Sequence, residues 1–482
     1  MTAAPASTSR RRVLTGIAAG LATAPLRSFA AGGGKPLDVL VIGAGLAGLN
    51  SALLLEELGA SVQVIESRSR IGGRLHTLYD LPGHPEVGGN TMASGYARMI
   101  DMARRLDLKL IDYAPRIFGA PPPALVMDGK ILDRVQWAKS ARNPFPDGFR
   151  DKMPWELIPA RTRGKNPLGA STEWLSADRH SLDIPLHDYF KQHGLSDGEI
   201  RLANDTAPYY GTSAWDVSAL MYLFNERWIS EQIKLGPAAF AVEGGNQRFT
   251  EAMAGRLKEE ARLEREVMSI EQTTDAVQVR CRNGEAYRAR FVVCSLPFSK
   301  VRDLTLTPAL EGGQRRAVRT LSYMRNTLVF LRPRKPFWEA DELSPSMWTN
   351  GGLGSVMAQR FGDDPAEVTG LVVNTRGWVA DRLDRMGPKA AQDFAVAEIE
   401  RLRPAAKGSL DAVGYHSWWL DPHNAGDWAI FAPGQVSDFV PTMAKPHGRL
   451  HFCGEHTAKM NRGMEGAMES GERVAMEIAQ QL

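Results

Sequence analysis

The sequence predicts an α/β fold with a parallel sheet at its centre, and three observations lead to this prediction. The stretch 39–66 reads as an apolar strand, a glycine turn, a helix, a second strand and an acid. A continuous apolar strand is typical of a parallel sheet that is covered on both faces. A chain of 482 residues is too long for one simple core, so a second domain is expected. The region 116–235 is rich in proline, aromatics and helical runs, and the region 311–440 mixes strands with a Trp-rich segment, which is consistent with a second domain.

The glycine turn has the pattern expected of a dinucleotide site. Gly43, Gly45 and Gly48 form G-x-G-x-x-G directly after the first strand. The first glycine permits a tight turn, the second lets backbone approach a pyrophosphate, and the third lets the helix pack close to the sheet. Leu46 and Ala47 open that helix, so their amides would point at phosphate charge.

The residues after the second strand identify the nucleotide. Glu66 stands where an acid accepts hydrogen bonds from ribose hydroxyls, which disfavours the 2′-phosphate of NADP. Ser67 and Arg68 follow, and a second glycine pair ends at Gly73 before Arg74. The glycine pair would let the backbone run beside the cofactor, and the guanidinium groups of Arg68 and Arg74 could meet phosphate charge. This combination favours FAD over NAD.

Four further segments resemble the FAD-dependent amine oxidase family, which includes monoamine oxidases, polyamine oxidases, L-amino-acid oxidases and bacterial nicotine oxidoreductase. They are 86–108, 242–257, 263–297 and 452–478, in the order found in that family. The likeness covers nearly the whole chain after residue 36. It implies a Rossmann-like FAD-binding domain of the amine oxidase type, interleaved with an α+β substrate-binding domain.

The resemblance also implies where the two domains divide. The FAD-binding domain would consist of residues 36–115, 236–310 and 440–482. The substrate-binding domain would consist of residues 116–235 and 311–439.

Several residues match cofactor contacts of the family. Gly88 and Gly89 look like the second glycine segment beside the flavin. Val267 matches the residue whose backbone meets adenine, and Gly454 with Glu455 matches the acid segment near the ribityl chain.

The resemblance places the reactive ring between four further positions. Trp418 fits a tryptophan that packs near the flavin, and Trp428 fits the first wall of an aromatic cage for the amine. Gly463 and Met464 fit the turn under the pyrimidine end of the ring, and Asn90 follows the second glycine pair. Relatives carry an aromatic second wall where this chain has Gly463, so the expected pocket is wider and simple monoamine-oxidase specificity is in doubt.

The implied reaction moves a hydride equivalent from the carbon bearing nitrogen to flavin N5, and the imine is hydrolysed to a carbonyl compound. The cofactor carries the difficult step, so no acid–base triad is required. Covalent members use a cysteine just before the first cage aromatic, where this chain has Asp427. Because Cys281, Cys294 and Cys453 all lie elsewhere, we expect non-covalent FAD and buried free thiols.

Two departures concern the acceptor and the substrate. Many relatives carry a lysine that holds a water near flavin N5; the matching strand offers Leu328 or Thr327, with Arg325 close by. We therefore expect either O2 or a periplasmic carrier such as a c-type cytochrome as electron acceptor, with slow reoxidation by O2. L-amino-acid oxidases commonly clamp the substrate carboxylate with an arginine after the second glycine pair, where this chain has Asn90 and Thr91.

An amine without an α-carboxylate is therefore the favoured substrate. An L-amino-acid oxidase, giving a 2-oxo acid, ammonia and peroxide, is the alternative. A carbon–carbon desaturase of the same flavin superfamily and a binding module with structural FAD also remain open.

Histidines and tyrosines near the matched segments have simpler explanations. His416, His423 and His456 lack the spacing of a metal ligand set, so we expect no metal. Tyr209 and Tyr210 are candidates for lining the pocket or for loop packing.

The first 30 residues have the pattern of a twin-arginine signal peptide. Ser9 precedes Arg10, Arg11 and Arg12, a short apolar run follows, and small residues surround Ala30. Export of a folded protein suits an enzyme that acquires its cofactor in the cytoplasm, and it predicts a periplasmic or secreted location. Cleavage would remove four arginines and change the formal charge from +3 to −1, so no nucleic-acid partner is indicated. The apolar run is too short to span a bilayer, so no membrane span is expected in the mature form.

Overall fold

The computed structural model describes residues 37–236 and 238–482. The predicted signal peptide, residues 1–30, lies outside the described residues.

The secondary structure of the described residues alternates between strands and helices. The strands are β1 Leu37–Ile42, β2 Val62–Ile65, β3 Met92–Ala93, β4 Leu110–Asp112, β5 Ala124–Met127, β6 Lys130–Leu132, β7 Ala239–Val242, β8 Val267–Gln272, β9 Val277–Cys281, β10 Ala286–Cys294, β11 Thr305–Thr307, β12 Ser322–Tyr323, β13 Asn326–Pro333, β14 Met347–Thr349, β15 Ser355–Gln359, β16 Gly370–Arg376, β17 Leu410–Ser417, β18 Ala429–Ile430 and β19 Leu450–Phe452.

The α-helices are α1 Leu46–Glu57, α2 Ala97–Arg105, α3 Ala114–Phe118, α4 Arg134–Lys139, α5 Pro154–Thr162, α6 Leu186–Gln192, α7 Asp197–Ile200, α8 Ala219–Leu235, α9 Gln247–Ala254, α10 Phe298–Val301, α11 Gly312–Thr320, α12 Phe337–Ala340, α13 Trp378–Met386, α14 Pro388–Leu402, α15 Gln435–Phe439 and α16 Gly463–Ala479. Short 3₁₀ helices span Ser171–Leu175, Ala177–Leu182, Ala214–Asp216, Pro404–Ala406 and Glu455–Thr457, and a π-helical turn spans Arg201–Asp205. Within 37–236 and 238–482, no helix combines the length and apolar character that crossing a membrane requires.

The first sheet contains the predicted parallel core. Its strand order is β11-β8-β9-β10-β1-β2, and β19 pairs with β10. Strand β1 runs parallel to β2 on one side and to β10 on the other. Residues 39–42 of β1 are almost completely buried, which is why that stretch is apolar without alternation.

Strand β10 joins two parts of this sheet. Its first residues pair antiparallel with β9, and its last residues pair in parallel with β1 and β19. The strands of the sheet therefore come from three separated stretches, 37–65, 267–307 and 450–452. The predicted domain boundaries stay a prediction.

A second sheet has the order β17-β13-β16-β15-β14-β5-β6. Most of its neighbours are antiparallel, and β14 with β5 is a parallel pair. Small sheets β3-β7-β4 and β12-β18 complete the pairing. Strand β18 follows Trp428 directly, so the pairing of β12 with β18 fixes the backbone beside that candidate residue.

Helix α16 packs closely on α1. A Cβ at Gly471 would lie 2.4 Å from the carbonyl oxygen of Ala47, so only glycine allows this approach. The side-chain amide of Asn50 donates to the carbonyl of Met468 at 2.8 Å. Buried Glu465 accepts hydrogen bonds from the backbone amides of Arg98 and Met99, which ties α2 to the first turn of α16.

A buried carboxyl also holds the second glycine segment. The amide of Asn246 donates to Glu86 Oε1 at 2.6 Å, and the Thr77 hydroxyl lies 3.0 Å from Oε2. Burial raises the pKa of Glu86 to about 8, although these two hydrogen bonds oppose the rise.

Replacing Glu86 with glutamine is expected to change how stability depends on pH. The native state keeps a proton on Glu86 from about pH 4.3, the pKa of an unfolded glutamate, up to about pH 8. Because the native state binds the extra proton, stability falls as pH rises through this window, by at most ~1.4 kcal/mol per pH unit. Glu86→Gln stays neutral, so its melting temperature should rise relative to wild type between about pH 5 and pH 8.

Thermal unfolding of the holoprotein across this pH range provides the measurement. Glu259→Gln, a change at an exposed position, should track wild type at every pH. Parallel curves for Glu86→Gln and wild type would show that Glu86 is ionised in the native state.

Candidate active site

The nucleotide turn is built by backbone that only glycine permits. Strand β1 ends at Ile42, and Gly43 adopts φ +102° before α1 begins. A Cβ at Gly48 would lie 2.0 Å from the carbonyl oxygen of Gly43. Helix α1 begins at Leu46 and Ala47 without a side-chain cap, so its first amides are available to an anion.

Glu66 is held rigidly at the end of β2. Its Oε2 accepts the amide of Ala44 at 2.9 Å, and its Oε1 accepts the amide of Arg68 at 2.9 Å and the hydroxyl of Ser67 at 3.2 Å. A carboxylate offers about four lone-pair sites, so one remains for a ribose hydroxyl. Strand β8 begins at Val267, two residues after Arg265, whose amide donates to the carbonyl of Glu66 at 2.7 Å.

A surface cavity of about 560 Å³ opens beside Glu66. Its lining residues are polar or charged and include Ser67, Arg68, Glu264, Glu266 and His423. Val267 follows Glu266, so the cavity lies at the predicted adenosine end.

Arg74 joins the glycine segments to the end of the chain. Gly73 adopts φ +57°, and a Cβ there would lie 3.5 Å from Gly45 Cα, so these two backbones face each other. The guanidinium of Arg74 contacts Glu455 Oε1 at 2.9 Å. Gly454, with φ +130°, turns the chain so that Glu455 can make this contact.

The second glycine segment lies against Arg74 and α16. A Cβ at Gly88 would lie 1.9 Å from the carbonyl oxygen of Arg74, and a Cβ at Gly89 would lie 2.7 Å from the Met464 sulfur. The side chain of Asn90 is exposed, and its carbonyl accepts the side-chain amide of Asn246 at 2.9 Å. The structure thus brings Met464 and the glycine pair together.

Trp418 is fully buried next to the second glycine segment. Its indole nitrogen donates to the carbonyl of Val87 at 3.0 Å, and its ring would lie 3.1 Å from a Cβ at Gly88. The sequence placed Trp418 near the flavin, and the structure places it directly behind Gly88.

Trp428 lines a cavity with residues from distant parts of the chain. Its aromatic neighbours in the lining are Trp174, Phe224 and Phe431, and the polar lining residues are Asn225, Glu455, His456, Asn461 and Arg462. Gly463, with φ +56°, also lines this cavity. The predicted cage residue and the predicted ribityl and pyrimidine residues therefore share one cavity.

The two tyrosines singled out from the sequence differ in position. Tyr209 is exposed, and its ring centroid lies 5.6 Å from that of Trp428. Tyr210 is buried and receives a hydrogen bond from the side chain of Asn225. Tyr209 therefore extends the aromatic wall outward, and Tyr210 supports it from within.

An arginine lies beside Gly463, the position where the sequence lacks the second aromatic wall of the cage. No aromatic side chain stands at Gly463, as the sequence shows, but the guanidinium carbon of Arg462 lies 4.7 Å from the Trp428 ring centroid. Trp228, on α8, approaches the same guanidinium at 6.0 Å. Neither Arg462 nor Trp228 was predicted from the sequence. The adjacency of Arg462 to Gly463 was the one sequence feature that could have indicated a role for Arg462.

Strand β13 directs Leu328 and Thr327, the two candidates for the relatives' lysine position, to opposite faces. Leu328 packs in the same apolar cluster as Trp418 and Val87. The hydroxyl of Thr327 points to the other face of the strand and donates to Asp384. Arg325 pairs with Asp381, and its guanidinium carbon lies 4.5 Å from the exposed ring of Trp419.

The arginine after the second glycine segment has a structural role. Arg98 pairs with Glu465 and with Glu472, both on α16. Arg98 thus holds α2 against α16.

Two of the histidines, His416 and His456, are largely shielded from solvent. His416 lies against Trp418, with ring centroids 4.4 Å apart, and burial lowers its pKa to about 4. His456 is buried, neither ring nitrogen has a protein hydrogen-bond partner, and burial holds its pKa well below the usual value. Both rings are therefore neutral at neutral pH.

These residues fit the FAD that the sequence predicts. An uncapped helix N-terminus meets the charge of a pyrophosphate, Glu66 keeps a free acceptor site, and the first turn of α16 also lacks a side-chain cap. The three cysteines are buried, and none neighbours Trp428. The donors, acceptors and close backbone approaches are those that FAD requires.

The chain is similar to known flavin-containing enzymes. The family model described as flavin containing amine oxidoreductase matches residues 46–479. A putative L-amino-acid oxidase, YobN, from Bacillus subtilis (strain 168) is 25% identical, over 92% of this chain and 95% of its own length. A flavin-containing amine oxidase from Danio rerio is 26% identical, over 92% of this chain and 85% of its own length.

Solved structures share the fold. Putrescine oxidase bound to putrescine superposes with a TM-score of 0.73 and 21% identity, over 92% of this chain and 99% of that chain. Cyclohexylamine oxidase from Brevibacterium oxydans IH-35A superposes with a TM-score of 0.71 and 21% identity, over 93% and 99%. The predicted fold class is confirmed.

Gly48→Ala is expected to remove FAD from the purified protein. The added methyl would overlap the carbonyl of Gly43, so the turn and the start of α1 must separate. A distortion of even ~1.4 kcal/mol at the binding turn weakens FAD binding about tenfold, and overpacking commonly costs more. FAD absorbance per mole of protein is the measurement.

Gly255→Ala is the matched control. Gly255 ends α9 with φ −66°, and a Cβ there would make only ordinary contacts at 3.5 Å and 3.6 Å. Wild-type FAD content in Gly48→Ala would contradict the assignment of this turn to the pyrophosphate.

Proposed function

Because the chain belongs to the family of flavin-containing amine oxidoreductases, we propose that it oxidises the C–N bond of an amine to an imine, which water then hydrolyses to a carbonyl compound. The enzyme uses FAD and acts on amine donors, as its family does. One observation supports the proposed site: Trp428 lines a single cavity with Glu455 and Gly463, which come from the separate matched segment 452–478. An amine held against Trp428 therefore lies beside the residues that would hold the flavin.

The chain's own residues position and isolate the reactants. When bound, FAD supplies the acceptor for a hydride equivalent from the carbon that carries nitrogen. The aromatic lining excludes water, and the Trp428 ring presents a face to the amine. Glu455 is paired with Arg74, and His456 is neutral, so neither adds a free charge beside the bound amine.

The proposed acceptor is O2 or a periplasmic electron carrier such as a c-type cytochrome. Support for slow use of O2 comes from Leu328, an apolar side chain against Trp418 where many relatives carry a cation. The proposed periplasmic or secreted location rests on the twin-arginine pattern of residues 9–12.

L-amino-acid oxidase activity, which yields a 2-oxo acid, ammonia and peroxide, is the second candidate. It is favoured by the name of the Bacillus subtilis relative. The residues after the second glycine pair, Asn90 and Thr91, supply no arginine for a carboxylate.

Anaerobic addition of a panel of amines and amino acids tests the proposed function. At least one compound should bleach the flavin absorbance of the holoenzyme and yield the corresponding carbonyl product. Trp428→Ala should lower kcat/KM for that compound by about 100-fold, because the amine loses the wall that orients it. Trp215→Ala, at a tryptophan that is 53% exposed and lies outside the cavity lining, should not.

A holoenzyme that no amine or amino acid bleaches would contradict the proposal. Bleaching by a substrate without nitrogen would instead indicate a carbon–carbon desaturase. If no compound of any class bleaches the flavin, the FAD has a structural role.

Leu328→Lys is expected to speed reoxidation by O2 at least about tenfold, since a cation near the reactive ring stabilises the negative charge that oxygen gains. Stopped-flow mixing of the reduced holoenzyme with oxygenated buffer measures the rate. Leu328→Met keeps the apolar volume and should match wild type. Fast reoxidation of wild type by O2 would contradict the proposed slow use of O2.

A further inference from the structure

Arg462 lies on the aromatic wall of the cavity. Its guanidinium carbon is 4.7 Å from the Trp428 ring centroid and 6.0 Å from the Trp228 ring centroid. A cation held against aromatic rings spends no N–H donor on them, since the attraction is to the ring face. The two indoles therefore hold this cation without consuming its hydrogen bonds.

No protein carboxylate neutralises Arg462 among residues 37–236 and 238–482. Arginines elsewhere in the site, such as Arg68 and Arg74, have ion-pair partners, but Arg462 makes neither an ion pair nor a side-chain hydrogen bond. Glu455, the carboxylate of the same cavity, already contacts Arg74 at 2.9 Å and accepts the amide of Ala429 at 3.2 Å. The cavity lining thus carries one uncompensated positive charge.

A second cation continues this wall toward solvent. The guanidinium carbon of Arg376 lies 5.2 Å from the Tyr209 ring centroid. The Tyr209 ring in turn packs against the Trp428 ring. The side chain of Arg376 donates to the carbonyl of Tyr209 at 3.0 Å. Glu226, an acid on α8, interacts electrostatically with Arg462. Its side chain is exposed and lies beyond ion-pair distance of the Arg462 guanidinium. Arg376 and Arg462 therefore each place a guanidinium against the aromatic wall.

This charge selects among amines. A fixed cation beside the amine-binding ring repels a second ammonium group, which disfavours diamines. The same guanidinium matches the geometry of a carboxylate, which it can bind through two parallel hydrogen bonds. We propose that Arg462 binds a carboxylate of the substrate, so that the substrate is an amine that also carries a carboxylate.

The inference rests on the proposed amine oxidation and names its substrate class. The expected arginine after Gly89 is absent, and the structure supplies a cation from the other end of the sequence, next to Gly463. Arg462 acts as a specificity residue, since it recognises a group remote from hydrogen transfer.

The test compares three matched compounds: an aromatic α-amino acid, its decarboxylated amine, and an amine of the same size whose carboxylate is distant from the nitrogen. Wild-type holoenzyme should prefer one carboxylated compound over the plain amine by at least about 100-fold in kcat/KM. Which carboxylated compound is preferred tells whether the carboxylate is attached to the reacting carbon.

Arg462→Gln should remove that preference. It should raise KM for the carboxylated compound by about 100-fold and change kcat/KM for the plain amine far less. Arg462→Lys keeps the positive charge but cannot form the two parallel hydrogen bonds of a guanidinium, so it should recover part of the preference. Arg315→Gln removes an exposed arginine of α11 that does not line the cavity, and it should behave as wild type.

A binding measurement separates this inference from the proposed function. Benzoate, which has a carboxylate and no amine, should perturb the flavin absorbance of oxidised wild type and should do so far more weakly in Arg462→Gln. Equal binding to both, or a wild type that prefers the plain amine, would overturn the role of Arg462 while amine oxidation stands. If benzoate binding depends on Arg462 but no compound is oxidised, the carboxylate site stands and the proposed function falls.

Discussion

The site depends first on one close approach of backbone, that of the Gly43 carbonyl to Gly48. The 2.0 Å distance to a built Cβ leaves no space for any side chain. This contact lets α1 start immediately after β1, with its free amides at the carboxyl end of the parallel strands. Glu66 is tied to the same turn through the amide of Ala44.

A second constraint assembles the reactive end from distant pieces of chain. Arg74 follows the glycine pair of the first part of the chain, and its guanidinium reaches Glu455 near the C-terminus and the carbonyl of Asp427 before Trp428. One side chain thus fixes three segments relative to each other. Helix α16 is fixed independently, because Gly471 packs on α1 and Glu465 holds α2.

The distribution of charge around the cavity is the feature that distinguishes this chain from the family pattern. The position that faces Trp418 is the apolar Leu328, where many relatives have a cation, whereas Arg462 adds a cation beside Trp428, where they have an aromatic wall nearby. Both changes alter electrostatics and leave the fold unchanged. Substrate choice and acceptor choice can therefore vary within this family while the nucleotide cradle stays constant.

The sequence by itself determined the parallel core, the nucleotide turn and the identity of the cofactor. Those features are encoded by neighbouring residues, since a glycine with positive φ or a strand followed by a helix is a local property. Tertiary structure alone decided that Leu328, and not Thr327, faces Trp418, because strand alternation becomes definite only when the partner strands fix the register. It also decided that Arg462 meets Trp228, more than two hundred residues away, since no local pattern reveals which side chains a cavity brings together.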